Sequence, residues 1–173
     1  MKQLFFFLLL ASLSFSQQFP SDFTGDYAGQ MIISSVQGQR DTVDVDFSFT
    51  EQIPDSSWTY TMVFRSSRYG DITKDYLLKK KSTVQSTHFI LDEQNGIVME
   101  MTYLNECLYG MYEVQGQFYI STLRVKENGL LYDLMIAPKA NPTHSVYNED
   151  DTFKVDSFKP GMQQTVLLSR KAD

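Results

Sequence analysis

The clearest periodicity in the chain lies at residues 43–50, where Val43, Val45, Phe47 and Phe49 alternate with Asp44, Asp46, Ser48 and Thr50. A two-residue period puts the apolar set on one face of a strand and the polar set on the other, so the segment predicts a half-buried strand. The same period recurs in Trp58, Tyr60, Met62 and Phe64, set against Thr59, Thr61, Val63 and Arg65. Further on, Ile97, Met99, Met101 and Tyr103 oppose Val98, Glu100, Thr102 and Leu104, while Cys107, Tyr109, Met111 and Glu113 oppose Leu108, Gly110, Tyr112 and Val114. In these later segments both faces carry apolar residues, so the inward face is not fixed by pattern.

Short turns join the strands. Asn95-Gly96 and Asn128-Gly129 are dipeptides suited to the two positive φ angles of a type I′ hairpin, Gln115-Gly116 is a third candidate and Asn105-Glu106 a weaker fourth. Residues 97–138 therefore predict a continuous antiparallel meander. Before it come strands opening at Gly25-Asp26-Tyr27, at 43–50, 58–65, 72–81 and 88–92. After it, residues 138–151 predict one long loop, with strands at 152–158 and 163–171 separated by Pro160-Gly161. The inward face of 72–81 is open, and Gly110 in mid-strand suggests a bulge or bend.

No segment has a capped 3.6-residue period, so little or no helix is expected. Sequential hairpins without long crossovers favour an up-and-down barrel of 8–10 strands over a Greek-key sandwich. The fold class expected is all-β, one barrel domain over residues 17–173.

The first sixteen residues stand outside that domain. Lys2, the apolar run Leu4–Leu13 and Ser14-Phe15-Ser16 before Gln17 form a signal peptide pattern, so the protein is expected to be secreted or periplasmic. The run is too short for a membrane span. Removing it leaves 157 residues of the 173, with 14 basic against 21 acidic side chains and a net charge of −7 once Lys2 is gone. Such a surface repels nucleic acid and anionic headgroups, which excludes both as partners. Lys79-Lys80-Lys81, the one basic run, suits a solvated strand end that discourages edge pairing. Cys107 has no disulfide partner and suits a buried position.

Candidates for chemistry are sparse. His88 and His144 are far apart and without a cysteine cluster, and Glu149-Asp150-Asp151 lacks the alternating spacing of a calcium loop, so no metal is expected. No nucleophile-elbow, zinc-protease or phosphate-loop motif occurs.

Gly25-Asp26-Tyr27 resembles the Gly-x-Trp signature of lipocalin-like (calycin) barrels with tyrosine for tryptophan, and Arg170 resembles the basic residue that packs across that ring. The chain is most similar to small exported members of that group with no assigned activity. The resemblance implies barrel closure through Tyr27 and Arg170 and binding of a small apolar molecule; no cofactor is expected from the residues themselves.

A supply of adaptable and amphipathic side chains supports an interior ligand site: Tyr60, Met62, Phe64, Met99, Met101, Tyr103, Met111, Phe118 and Tyr132. The same residues could instead fill a dry core. The leading expectation is a non-enzymatic barrel that holds a small hydrophobic ligand. The alternative is a solid barrel acting as a protein-interaction module through an exposed outer face on the strands between Ile97 and Ala137. An enzyme would require polar groups converging inside, for example Glu100, Glu113 or Arg124 beside Tyr109 or Tyr132.

Overall fold

A computed structural model of the chain describes residues 19–67, 70–81, 87–147 and 150–172. The signal-peptide segment, and Asn148 and Glu149 of the acidic run, lie outside the described residues. A single 3-10 turn, Ser21–Phe23, precedes thirteen strands: β1 Gly25–Ser35, β2 Arg40–Phe49, β3 Glu51–Ile53, β4 Ser57–Arg65, β5 Ile72–Lys80, β6 His88–Asp92, β7 Val98–Leu104, β8 Cys107–Val114, β9 Gln117–Lys126, β10 Gly129–Pro138, β11 Thr143–Tyr147, β12 Asp150–Ser157 and β13 Met162–Arg170. All but β11 and β12 lie in one antiparallel sheet, and pairing of β2 with β4 closes it into a ten-strand barrel, with the short β3 continuing beside β4.

The chain therefore folds as the expected lipocalin-like barrel. Its first and last strands meet: Tyr27 is the register partner of Arg170. Arg170 Nη2 donates to Tyr27 Oη at 2.9 Å, the guanidinium sits 5.3 Å from the ring centroid, and the Tyr27 hydroxyl donates in turn to the Phe23 carbonyl at 2.8 Å. One side chain thus ties the entering segment to the closing strand.

The turns differ in detail from those expected. Asn105-Glu106 and Gln115-Gly116 both have the paired positive φ of a tight hairpin. Between β6 and β7 the positive φ angles fall on Gln94 and Gly96, and a Glu93 N–H to Ile97 carbonyl bond closes a longer loop. At Gly129 the demand is for space as well: φ is +152° and a Cβ would lie 2.1 Å from the Leu168 carbonyl oxygen. Gly110 makes no bulge, since β8 pairs in continuous register on both sides. Its missing side chain is filled instead, because a Cβ there would meet Met101 Sδ at 2.6 Å and Ser121 Oγ at 2.7 Å.

Two sequence expectations are corrected here. Residues 138–151 are not one loop: β11 pairs with β12 in a separate two-stranded sheet, so the segment 152–158 belongs to this hairpin and not to the barrel. His144 accordingly lies on a strand, 2.5 Å from Asp156. The described side chains of the hairpin are all exposed, so nothing in the pattern sets the strand expected at 152–158 apart from those of the barrel, and β11 falls within the expected loop. The lysine run guards no edge either, since β5 is hydrogen-bonded to β4 and β6. Lys79 pairs with Asp92, Lys80 with Asp55 and Lys81 with Glu100.

Candidate functional site

The two ends of the barrel are unlike. At the end where β1 begins, Trp58 is fully buried together with Phe47, Phe49, Phe89, Leu108 and Leu168. Phe19 and Phe23 enter from below and seal it. The Phe19 ring stacks on Tyr103 with centroids 4.3 Å apart, meets Phe89 edge-on at 5.6 Å, and lies 6.0 Å from Phe49 and 5.8 Å from Phe23. Offset and edge-on rings at such spacings add to the burial of their area. A half-open concavity of about 390 Å³ beneath this end, lined by Asp22, Phe23, Tyr27, Lys126 and Arg170, is polar and external to the barrel.

No such entering segment crosses the opposite end among the described residues. There, strand parity aims Ile33, Phe64, Ile72, Ile97, Val114 and Met162 inward around the rim. Ile72, Ile97 and Val114 nevertheless remain 48%, 54% and 46% exposed. A closed core would not leave inward-pointing aliphatic residues in water, so these mark a mouth.

Between plug and mouth lies a layer of phenols. Tyr60 and Tyr132 stand at mid-height, and Tyr60 packs edge-on to Phe47 at 4.9 Å. Tyr76, the register partner of Tyr60, and the pair Tyr112 and Tyr119 stand nearer the rim. The last two rings are stacked with centroids 5.5 Å apart and planes 4° from parallel. Burial holds the Tyr60, Tyr76, Tyr112 and Tyr132 phenols above their ordinary range. The hydroxyls also lie close enough to disfavour one another's ionisation, and the Glu93 carboxylate beside Tyr76 adds to its shift. Ser121, itself buried, works the other way on Tyr112. These groups consequently stay neutral hydrogen-bond donors throughout the physiological range. Among the described residues, neither the Tyr60 nor the Tyr132 hydroxyl makes a hydrogen bond.

Of the nine residues expected to line a ligand site, the structure brings seven into this interior: Tyr60, Met62, Met99, Met101 and Tyr132 in the core, with Phe64 and Tyr103 packed against it. Tyr103 lies at the plugged end, under Phe19. Met111 and Phe118 are elsewhere, on the outer face. Leu108, Gly110 and Tyr112 take the inward positions of β8, which leaves Met111 69% exposed. On β9 the inward set is Tyr119, Ser121 and Leu123, and Phe118 packs outside against Phe158 with centroids 5.0 Å apart. Sequence reasoning missed Tyr76, Tyr112 and Tyr119, each of which belongs to a segment with apolar residues on both faces.

The polar groups considered for catalysis do not converge inside. Glu100 and Glu113 pair outside with Lys81 and Lys139, and Arg124 Nη2 donates to Tyr109 Oη at 3.1 Å on the outer surface. Among the described residues no group of three or more histidine, cysteine or acidic side chains could hold a metal ion. Nor is any helix among them long and apolar enough to cross a membrane.

No protein-family profile and no curated protein sequence matches the chain. Among solved structures, the barrel is similar to that of the S-type phycobiliprotein lyase CPES from Guillardia theta, with a TM-score of 0.61. The likeness covers 87% of this chain and 89% of the lyase at 10% sequence identity, which makes it a likeness of fold.

Proposed function

We propose that this chain is an exported binding protein that takes a small hydrophobic molecule into the open end of its barrel, acting as a carrier and not as a catalyst. The observation that carries the reading is the unequal treatment of the two ends. One is stoppered with aromatic rings, while the other presents inward-facing Ile72, Ile97 and Val114 to water. Barrels of eight strands are just wide enough to be filled or to hold one small ligand. Ten strands give more room, and here the purely apolar rings gather at the stoppered end while the inward rings above them include the phenols Tyr60, Tyr76, Tyr112, Tyr119 and Tyr132. Apolar walls with a few polar groups at mid-depth are the usual make-up of small-molecule sites. Export is supported by the Lys2, Leu4–Leu13 and Ser14-Phe15-Ser16 pattern. The barrel of a phycobiliprotein lyase has a similar fold, but at 10% identity no residue role is carried over from it.

Native mass spectrometry of the protein purified without detergent tests the reading, together with uptake of the fluorescent apolar probe N-phenyl-1-naphthylamine. A small-molecule adduct lost on unfolding, or saturable uptake abolished by Ile97→Asp with Val114→Asp, is expected. A bare polypeptide mass together with no uptake would overturn it.

A second reading has its own observation. On the outer face Met111 lies opposite Ile120, which lies opposite Met135, in a row across β8, β9 and β10. Met111 and Ile120 are exposed, as a protein-interaction surface would be. If that face does the work, Met111→Lys abolishes association with a partner and leaves probe uptake intact.

A further inference from the structure

We infer that the open end selects uncharged, flat molecules bearing a hydrogen-bond-accepting oxygen, and discriminates against carboxylates built on the same skeleton. The inference rests on the binding reading above and names the class of ligand that reading leaves open.

The distribution of charge along the inward face carries it. At the stoppered end Lys80 pairs with Asp55 and lies 5.8 Å from the Trp58 ring, and Arg170 is engaged with Tyr27. At the rim the inward positions include Asp41, Lys74 and Glu93, one net negative charge in a protein already acidic overall. Between these levels the inward positions of the described strands carry no charged side chain. Tyrosine hydroxyls and Ser121 supply the polarity there.

A carboxylate drawn down to Tyr60 and Tyr132 would shed its water and meet no cation, which is costly for an ion in an apolar surrounding. Lys74 offers little help, because it is exposed and hydrated at the rim, where ion pairs contribute weakly. A carbonyl or ether oxygen suffers no such loss. It can accept from the Tyr60 and Tyr132 hydroxyls, which are neutral donors without a hydrogen bond among the described residues. The Tyr112 and Tyr119 rings, stacked on each other and 4° from parallel, set one plane direction with which a planar skeleton can align.

Three probes of one skeleton separate these contributions: fluorene, 9-fluorenone and fluorene-9-carboxylate, each titrated against the mature protein by equilibrium dialysis. One neutral hydrogen bond is worth roughly twofold to tenfold in affinity. Fluorenone is therefore expected to bind about three- to tenfold tighter than fluorene, and at least about tenfold tighter than the carboxylate. Tyr60→Phe with Tyr132→Phe, which removes only hydroxyls, brings fluorenone to the level of fluorene and leaves fluorene unchanged. Tyr132→Phe serves as the milder variant if the pair fails to fold. Carboxylate binding as tight as fluorenone binding, or a fluorenone preference that survives loss of both hydroxyls, overturns the inference while the binding reading stands. Failure of all three probes to bind overturns both.

Discussion

Replacing Phe19 by alanine tests whether the entering segment is a structural stopper. The ring touches four others, at centroid distances from 4.3 to 6.0 Å. A fully buried phenylalanine truncated to alanine costs about 3–5 kcal/mol. Phe19 is half-buried, which scales that cost to roughly 2–3 kcal/mol. For a domain of this size each kcal/mol lowers Tm by about 2–4 °C, so a fall of about 4–12 °C is expected. The chain has one tryptophan, and Trp58 is fully buried near this end, so its emission reports the transition in urea as well as in a thermal scan. The urea midpoint should fall with an unchanged slope, since the same surface is exposed on unfolding. Uptake of an apolar probe at the far end should persist. A loss under about 0.5 kcal/mol, the usual range for a surface substitution, would refute the stopper.

Two further outcomes follow from the interior. Gly110→Ala should destabilise by about 1–3 kcal/mol in the same urea assay, because its Cβ enters space held by Met101 Sδ and Ser121 Oγ; a neutral effect would mean that those side chains yield freely. Stability should also fall as pH rises above about 10, the unfolded tyrosine pKa. The folded-state pKa values of Tyr60 and Tyr132 are raised by burial, so above that pH the unfolded chain holds fewer protons than the folded one. Each of these two nearly buried phenols then removes up to about 1.4 kcal/mol per pH unit until its folded pKa is passed. Tyrosinate absorbance should appear together with unfolding; smooth ionisation of all ten tyrosines in a protein that stays folded would contradict the burial.

The barrel was legible wherever one face was dry and the other wet. Val45, Phe47 and Phe49 against Asp44, Asp46 and Ser48 define an inward side without ambiguity, and burial follows that alternation. The closure was legible too, because Gly25-Asp26-Tyr27 and Arg170 are specific in type as well as in place, and they meet in register. The Phe19 stopper was not: Phe19, Pro20 and Phe23 have no period and read as a lead-in, yet they cap a barrel whose own strands leave that end unsealed. The free hairpin was legible only in part: its second strand is expected at 152–158, while Thr143–Tyr147 and the separation of both from the barrel are not, since strands that bury nothing carry no mark of a partner.

The errors at the site share one cause. Residues 107–114 and 118–120 carry apolar side chains on both faces, so there the inward set is decided by volume and register, although Leu123 and Val125 against Thr122, Arg124 and Lys126 mark the inward phase further along the second segment. On β8 the glycine is the inward residue because Met101 reaches across from β7 to fill its place. Met111 is thereby turned outward and Tyr112 inward, where it stacks on Tyr119. A one-residue shift in that assignment exchanges every side chain between the two faces. It would replace the phenol wall of the mouth with Met111 and Phe118, and put the tyrosines on the surface. Of the phenols inside the barrel, Tyr112 thus owes its inward place to the glycine two residues before it.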